Sequence, residues 1–261
     1  MDKAALMTVS GLETSAMTHA FKKIYDQANE NDPYAQFLLG EMYENGVGVK
    51  KNSLNAYDWL QKSAEQGNYR AHVALAYLYF DDEGIVKDSQ KAYEHVLKGI
   101  ENNDHDAQIL LGNMYYLGDG VEKNYAKAHE FHLKSAQQGN RSAQVSVGLN
   151  YLYGLKDAVE KDEHKAAEWF MKAAENGDRM AQYEIATMYR DGIAFGQDYV
   201  KALEWYTKSS DQGYAGAQNV LGEMYFNGHG VEKDVDKARE LWELAAAQGD
   251  EDAKENLKKL Q

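Results

Sequence analysis

Alanine returns at Ala35, Ala71, Ala107, Ala143, Ala181, Ala217 and Ala253, at intervals of 36, 36, 36, 38, 36 and 36 residues. A tyrosine keeps the same beat eight residues later, at Tyr43, Tyr79, Tyr115, Tyr151, Tyr189 and Tyr225. Such a period means that one supersecondary unit is repeated and buries its apolar face against copies of itself. The 261 residues would otherwise suggest one or two domains. A continuous array has no internal boundary, so the repeat overrides that expectation.

Residues 104–139 show what one unit encodes. Ala107, Leu110, Leu111, Met114 and Tyr115 follow Asp104 at spacings of three and four, which is one face of a helix. Gly118 and Gly120 break that helix. A second run carries Ala128, Phe131 and Ala136 on one face and stops at Gly139. Each unit therefore reads as helix A, a glycine-containing turn, helix B and a tight turn. The spacing predicts A helices over 33–45, 69–81, 105–117, 141–153, 179–191, 215–227 and 251–260. It predicts B helices over 17–30, 53–66, 89–102, 125–138, 163–176, 199–212 and 235–248.

Asp32, Asn68, Asp104, Asn140, Asp178, Tyr214 and Asp250 precede the A helices, and Asn52, Asp88, Asn124, Asp162, Asp198 and Asp234 precede the B helices. Apart from Tyr214, each is a residue whose side chain accepts from the free N–H groups of a first turn, worth about 1 kcal/mol. Gly67, Gly139, Gly177, Gly213 and Gly249 end the B helices, with Asn103 substituting once. Inside helix A a small row reads Gly40, Ala76, Gly112, Gly148, Ala186 and Gly222, which suggests close helix approach. The row opposite is expected to be Trp59, His95, Phe131, Trp169, Trp205 and Leu241, with His95 a packed, hydrogen-bonded core residue.

The pattern A-x-x-x-L-G-x-x-Y…G-x-G-V…K-A…W…A-x-x-G stands in this chain as Ala35, Leu39, Gly40, Tyr43, Gly46, Gly48 and Val49. It stands again as Ala217, Leu221, Gly222, Tyr225, Gly228, Gly230 and Val231. It resembles the Sel1-like repeat family, relatives of the tetratricopeptide proteins, over roughly residues 17–261. The resemblance implies an all-α, right-handed α-solenoid. Its expected organisation is a flexible tail over 1–16, a half repeat over 17–32, six repeats over 33–250 and a closing helix over 251–261. It also implies an adaptor or scaffold. Some secreted members are cysteine-rich and linked to β-lactam binding; this chain has no cysteine, so that property is not carried over.

The residues offer little chemistry. There is no thiol, no S-x-x-K, no G-x-S-x-G and no phosphate-loop lysine-serine pair. His129 and His132 are three apart and miss the H-E-x-x-H spacing. The expectation is no catalytic residue, no metal and no cofactor. The net charge of −14 disfavours nucleic acid and anionic membranes. Two lysine rows, Lys91–Lys127–Lys165–Lys201–Lys237 and Lys62–Lys98–Lys134–Lys172–Lys208, read as a solvated face rather than a basic ridge. No run reaches the ~20 apolar residues of a membrane span. The expected compartment is the cytoplasm, or the periplasm or exterior if a leader has been removed.

By resemblance to tetratricopeptide geometry, the A helices line a concave side. There the middle repeats present Val73, Tyr77, Phe80, Ile109, Asn113, Tyr116, Val145, Leu149, Leu152 and Tyr153, while acids such as Glu41 and Glu223 flank them. Exposed apolar clusters mark interaction sites. The expected function is a non-catalytic scaffold that binds a protein or peptide, preferably one with basic ends, in this groove. The alternatives are an immunity- or inhibitor-type protein that caps one enzyme and, less favoured, a hydrolase directed at peptidoglycan or a β-lactam.

Overall fold

The computed structural model describes residues 14–81 and 84–260. The expected 1–16 tail lies almost wholly outside them, and a helix already begins at Thr14. The chain divides into two compact units, Met1–Phe131 and His132–Gln261, and the division falls inside a helix spanning Tyr125–Gln137.

The first unit holds α1 (Thr14–Asn29), α2 (Pro33–Asn45), α3 (Ser53–Glu65), α4 (Tyr69–Phe80), α5 (Ser89–Glu101) and α6 (His105–Leu117), followed by the first half of α7 (Tyr125–Gln137). Each helix packs on the next from α1 to α6, and the A helices α2, α4 and α6 also touch in sequence. The second unit holds α8 (Arg141–Tyr153), α9 (Glu163–Glu175), α10 (Arg179–Asp191), α11 (Tyr199–Asp211), α12 (Ala215–Asn227), α13 (Val235–Ala247) and α14 (Glu251–Lys258), again packed pairwise. Among the described residues the only strand-like feature is an isolated antiparallel bridge between Leu155 and Val159.

The caps work as the sequence dictates. Asp32 accepts from the Ala35 amide at 2.8 Å and Asp234 from the Lys237 amide at 2.8 Å. Tyr214 starts α12 without a side-chain cap; its ring instead lies edge-on to Tyr183, 5.3 Å between centroids. After the B helices, Gly67 and Asn103 take φ of 85° and 54°, the left-handed turn that glycine and asparagine tolerate. The recurring tyrosine closes the A–B turn through its backbone. Its carbonyl accepts from the next cap residue, as in Asn52 to Tyr43 at 2.8 Å and Asp198 to Tyr189 at 2.8 Å.

The small row is a close approach, but its partners are one residue later than expected. A Cβ on Gly40 would lie 2.6 Å from Leu60, on Gly148 2.6 Å from Phe170, and on Gly222 2.6 Å from Trp242. The expected facing row, with Trp59, Trp169 and Trp205, is therefore corrected. A helix turns about 100° per residue, so successive side chains meet different neighbours. Trp59 packs with Phe21, Ala28, Ala35 and Leu39 of the preceding helix pair, while Leu60 meets Gly40.

Candidate functional site

On the first unit, the A-helix face is built from α2, α4 and α6. Tyr77 on α4 is half-buried, and its hydroxyl donates to the Asp106 carbonyl on α6 at 3.0 Å. Burial, together with Asp106, Asp104 and Asp81, pushes this phenol well above its ordinary range. Phe80 is half-buried beneath the Lys87 ammonium, 5.2 Å from its ring. Tyr116 is 43% exposed and meets Tyr125 edge-on at 5.4 Å; Leu117 beside it is 54% exposed. Asn113 is half-buried. Glu41 on α2 completes the surface. Burial first, then Glu44 and Asp106, raises its carboxyl above the usual carboxylate value.

Val73 and Ile109 belong to the interior, at 6% and 7% exposure. Val73 sits in the cluster with Ala76, Val96 and Leu110 and closes on Gly99. They support the face without presenting a side chain to a partner. In the second unit Val145 and Leu152 are similarly buried, in the cluster around Phe170 and Ile185, and Leu149 is half-buried against that cluster. Tyr153, at the end of α8, is 73% exposed. The two-residue insertion that follows folds on itself: the Leu155 amide donates to the Val159 carbonyl at 2.8 Å, and Leu155 turns inward.

Three features go beyond the sequence-based expectations, which include only a packed, hydrogen-bonded His95; that residue is hydrogen-bonded and half-buried. A buried glutamine follows the repeated alanine. Gln36 donates to the Ala28 carbonyl at 3.2 Å and accepts from the Gln66 amide at 2.8 Å; Gln182 does the same with Ala174 at 3.2 Å and Gln212 at 2.7 Å. The row Gln36, His72, Gln108, Gln144, Gln182 and Gln218 was legible as a repeat, and its one departure is His72. His72 Nδ1 lies 2.8 Å from His95 Nδ1, with His95 stacked on Tyr79. Burial lowers His72, and burial followed by the neighbouring His72 lowers His95 to about 4. The third feature is a largely apolar pocket of about 290 Å³ lined by Leu54, Tyr57, Tyr79, Ile85 and Val86 together with Lys87, Asp88 and Lys91. Val86 is 87% exposed and stands where the other repeats carry Lys50, Glu122, Glu160, Gly196 and Glu232.

The lysine rows are engaged. Lys91, Lys165 and Lys201 sit 5.2, 5.3 and 5.2 Å over the repeated tyrosines Tyr79, Tyr151 and Tyr189. Lys62, Lys172 and Lys208 cover Trp59, Trp169 and Trp205 at 4.2, 4.0 and 3.8 Å. The ammonium groups themselves lie over the aromatic faces as cation–π contacts. Among the described residues no group of three or more His, Asp or Glu converges as a metal cluster, and no helix is long and apolar enough to cross a membrane.

Stacked helix pairs closed by capped turns define an α-solenoid built from a single helix-turn-helix repeat. The chain belongs to the Sel1 repeat family, whose pattern matches residues 33–68, 70–104, 105–140, 141–178, 179–214 and 215–250. A protective antigen of uropathogenic Escherichia coli with this fold is similar at 32% identity and a TM-score of 0.76, over 91% of this chain and 50% of its own. A Sel1 repeat protein from Oxalobacter formigenes is 34% identical with a TM-score of 0.72, over 82% of this chain and 85% of its own. A putative sel1-like repeat-containing protein of Acanthamoeba polyphaga mimivirus is 46% identical over 41 residues, 16% of this chain and 7% of that protein. The chain thus spans half of the E. coli antigen and a small part of the viral protein. Repeats of this kind are typical of protein-interaction modules.

Proposed function

We propose that this chain is a non-catalytic interaction module that holds a partner protein or peptide on the A-helix face of its first unit. The observation that carries the reading is the exposure of Tyr116 and Leu117 on α6 and the half-burial of Tyr77 and Phe80 on α4, while Val73 and Ile109 of the same helices are already packed. Aromatic anchors over a rigid base are the usual centres of binding energy. Glu41, Glu44 and Asp106 lie along the same face, and Glu41 is held against its preferred ionisation. A cation brought by a basic partner relieves that strain and steers the encounter. In the second unit, Tyr153 is a contact residue in its own right.

The test begins with a partner identified by cross-linking in the native cell and then purified. Tyr116→Ala is expected to weaken binding by about 2 kcal/mol, some 30-fold, while the melting temperature falls only by what the lost Tyr125 contact accounts for, about 1 kcal/mol. Tyr77→Phe keeps the ring and removes the bond to Asp106, so it separates contact from helix tethering. Wild-type affinity for Tyr116→Ala and for a Phe80→Ala variant would count against this face.

A further inference from the structure

We propose that His72 on α4 and His95 on α5 form an acid-sensitive latch between the two helices of the second repeat, closed while a single proton serves the contact between the rings and open once each ring carries its own. The two Nδ1 atoms are 2.8 Å apart, a hydrogen-bond distance. The ring centres are 5.0 Å apart, little more than that contact plus the two ring radii, so the nitrogens meet end-on. Such a bond needs one N–H and one lone pair.

The chemistry of the two rings limits the protons they can hold together. In the neutral pair, one ring donates from Nδ1 and keeps a lone pair on Nε2. The other accepts at Nδ1 and carries its N–H on Nε2. The first added proton goes to the free Nε2 of the donor ring, and the bond survives. The second has only the Nδ1 lone pair inside the contact. Placing it there turns two N–H groups toward each other and forces the rings apart. The closed latch therefore takes up one proton, whereas the two separate histidines of the unfolded chain take up two.

Both residues depart from the repeat, and in the same unit. His72 stands where the other repeats carry glutamine, and His95 where they carry Trp59, Phe131, Trp169, Trp205 or Leu241. The His95 ring stacks on Tyr79 of α4 at 5.7 Å, and the Tyr79 hydroxyl donates to the Tyr57 hydroxyl on α3 at 3.2 Å. The charged groups that act on the pair are Lys91, Glu94, Lys98 and Glu101 of α5. Lys91 is paired with Asp88 and Lys98 with Glu101, at 3.5 and 3.1 Å, so the charges around the latch are close to balance. Burial, ahead of Lys98, holds His72 below its ordinary value, and burial, ahead of His72, holds His95 at about 4. A histidine lowered in the folded state is more readily protonated in the unfolded chain. The stability the latch contributes is therefore whole above the unfolded value of 6.5 and is lost as pH falls toward about 4.

The repeat supplies its own control. His72→Gln combined with His95→Phe installs residues that other repeats carry at both positions. Urea denaturation of the wild type and of this double variant is followed as a function of pH. Near pH 5 the wild-type folding equilibrium constant is expected to fall about tenfold more per pH unit than that of the variant, the signature of about one extra proton taken up on unfolding. The raised carboxyls of Glu41 and Glu184 act in the opposite sense in both proteins, so the comparison cancels them. In folded wild-type protein with 15N-labelled histidine, NMR is expected to show a scalar coupling between the two Nδ1 nuclei at neutral pH and its loss as the second ring titrates. Parallel pH profiles for the two proteins would overturn the proposal. Absence of the coupling at neutral pH, or its persistence after both rings are charged, would overturn it as well.

Discussion

Glycine in mid-helix costs about 1 kcal/mol against alanine, so its return in the small row needs a compensating gain. Gly148 shows it: the Phe170 ring lies where a Cβ would stand, 2.6 Å away. The ring is fully buried, and the close approach of α8 and α9 depends on the missing side chain. Gly148→Leu is expected to cost about 1–3 kcal/mol through overpacking, read as a lowered denaturation midpoint, whereas Lys50→Ala on the surface stays within about 0.5 kcal/mol. Equal shifts for the two would show that the helices are not in contact there. Glu184 makes a second residue-scale case, because burial alone pushes its carboxyl above the usual value. A carboxyl raised in the folded state is better protonated there than in the unfolded chain, so its penalty is present at neutral pH and fades as pH falls toward the unfolded pKa. Glu184→Gln is expected to raise the melting temperature at pH 7 and to have little effect at pH 4. A gain that is the same at both pH values would contradict this.

At the scale of elements, each helix boundary is set by local chemistry. The Asp or Asn cap, the carbonyl of the repeated tyrosine and the glycine or asparagine after helix B fix where the chain turns. These signals are local, so the sequence displays them, and the predicted spans from 33–45 to 235–248 match the helices to within a residue or so at either end. What the sequence concealed is rotational. Trp59 and Leu60 are adjacent, both apolar and both buried, and nothing in their spacing tells which meets Gly40. The same limit put Val73 and Ile109 on the candidate face, when a rotation of part of a turn carries them into the core. The glutamine ladder escaped notice because a polar residue after a core alanine reads as solvated. Gln182 is in fact buried, donating to the Ala174 carbonyl and accepting from the amide of the exposed Gln212. Gln182→Leu is expected to cost about 0.5–1.5 kcal/mol through the two lost hydrogen bonds, since the Ala174 carbonyl keeps the Gly177 amide at 3.0 Å and Gln212 stays in contact with water. A neutral result in urea denaturation would show that water replaces the amide.

For the molecule as a whole, the division of labour follows from the repeat. The repeated alanines, the small row and the capped turns are spent on stacking, and the lysines on cation–π contacts with aromatic rings. The positions that vary between repeats, Glu41, Tyr77 and Asn113 in one row and Glu44, Phe80 and Tyr116 in another, are those the proposed binding face draws on. Family membership and fold were therefore readable from the chain, because they rest on what is repeated. A binding face rests on what is not repeated, and side-chain exposure separated Tyr116 from Ile109 where sequence could not. The central claim is that the first unit's A-helix face recognises a partner independently of the packing that holds the fold. Isothermal calorimetry of Tyr116→Ala with the purified partner, alongside its thermal melt, tests this most directly. The account predicts a loss of about 2 kcal/mol in binding with a melt lowered by no more than the lost Tyr125 contact, about 1 kcal/mol; wild-type binding, or unfolding at the temperature of the binding assay, would contradict it.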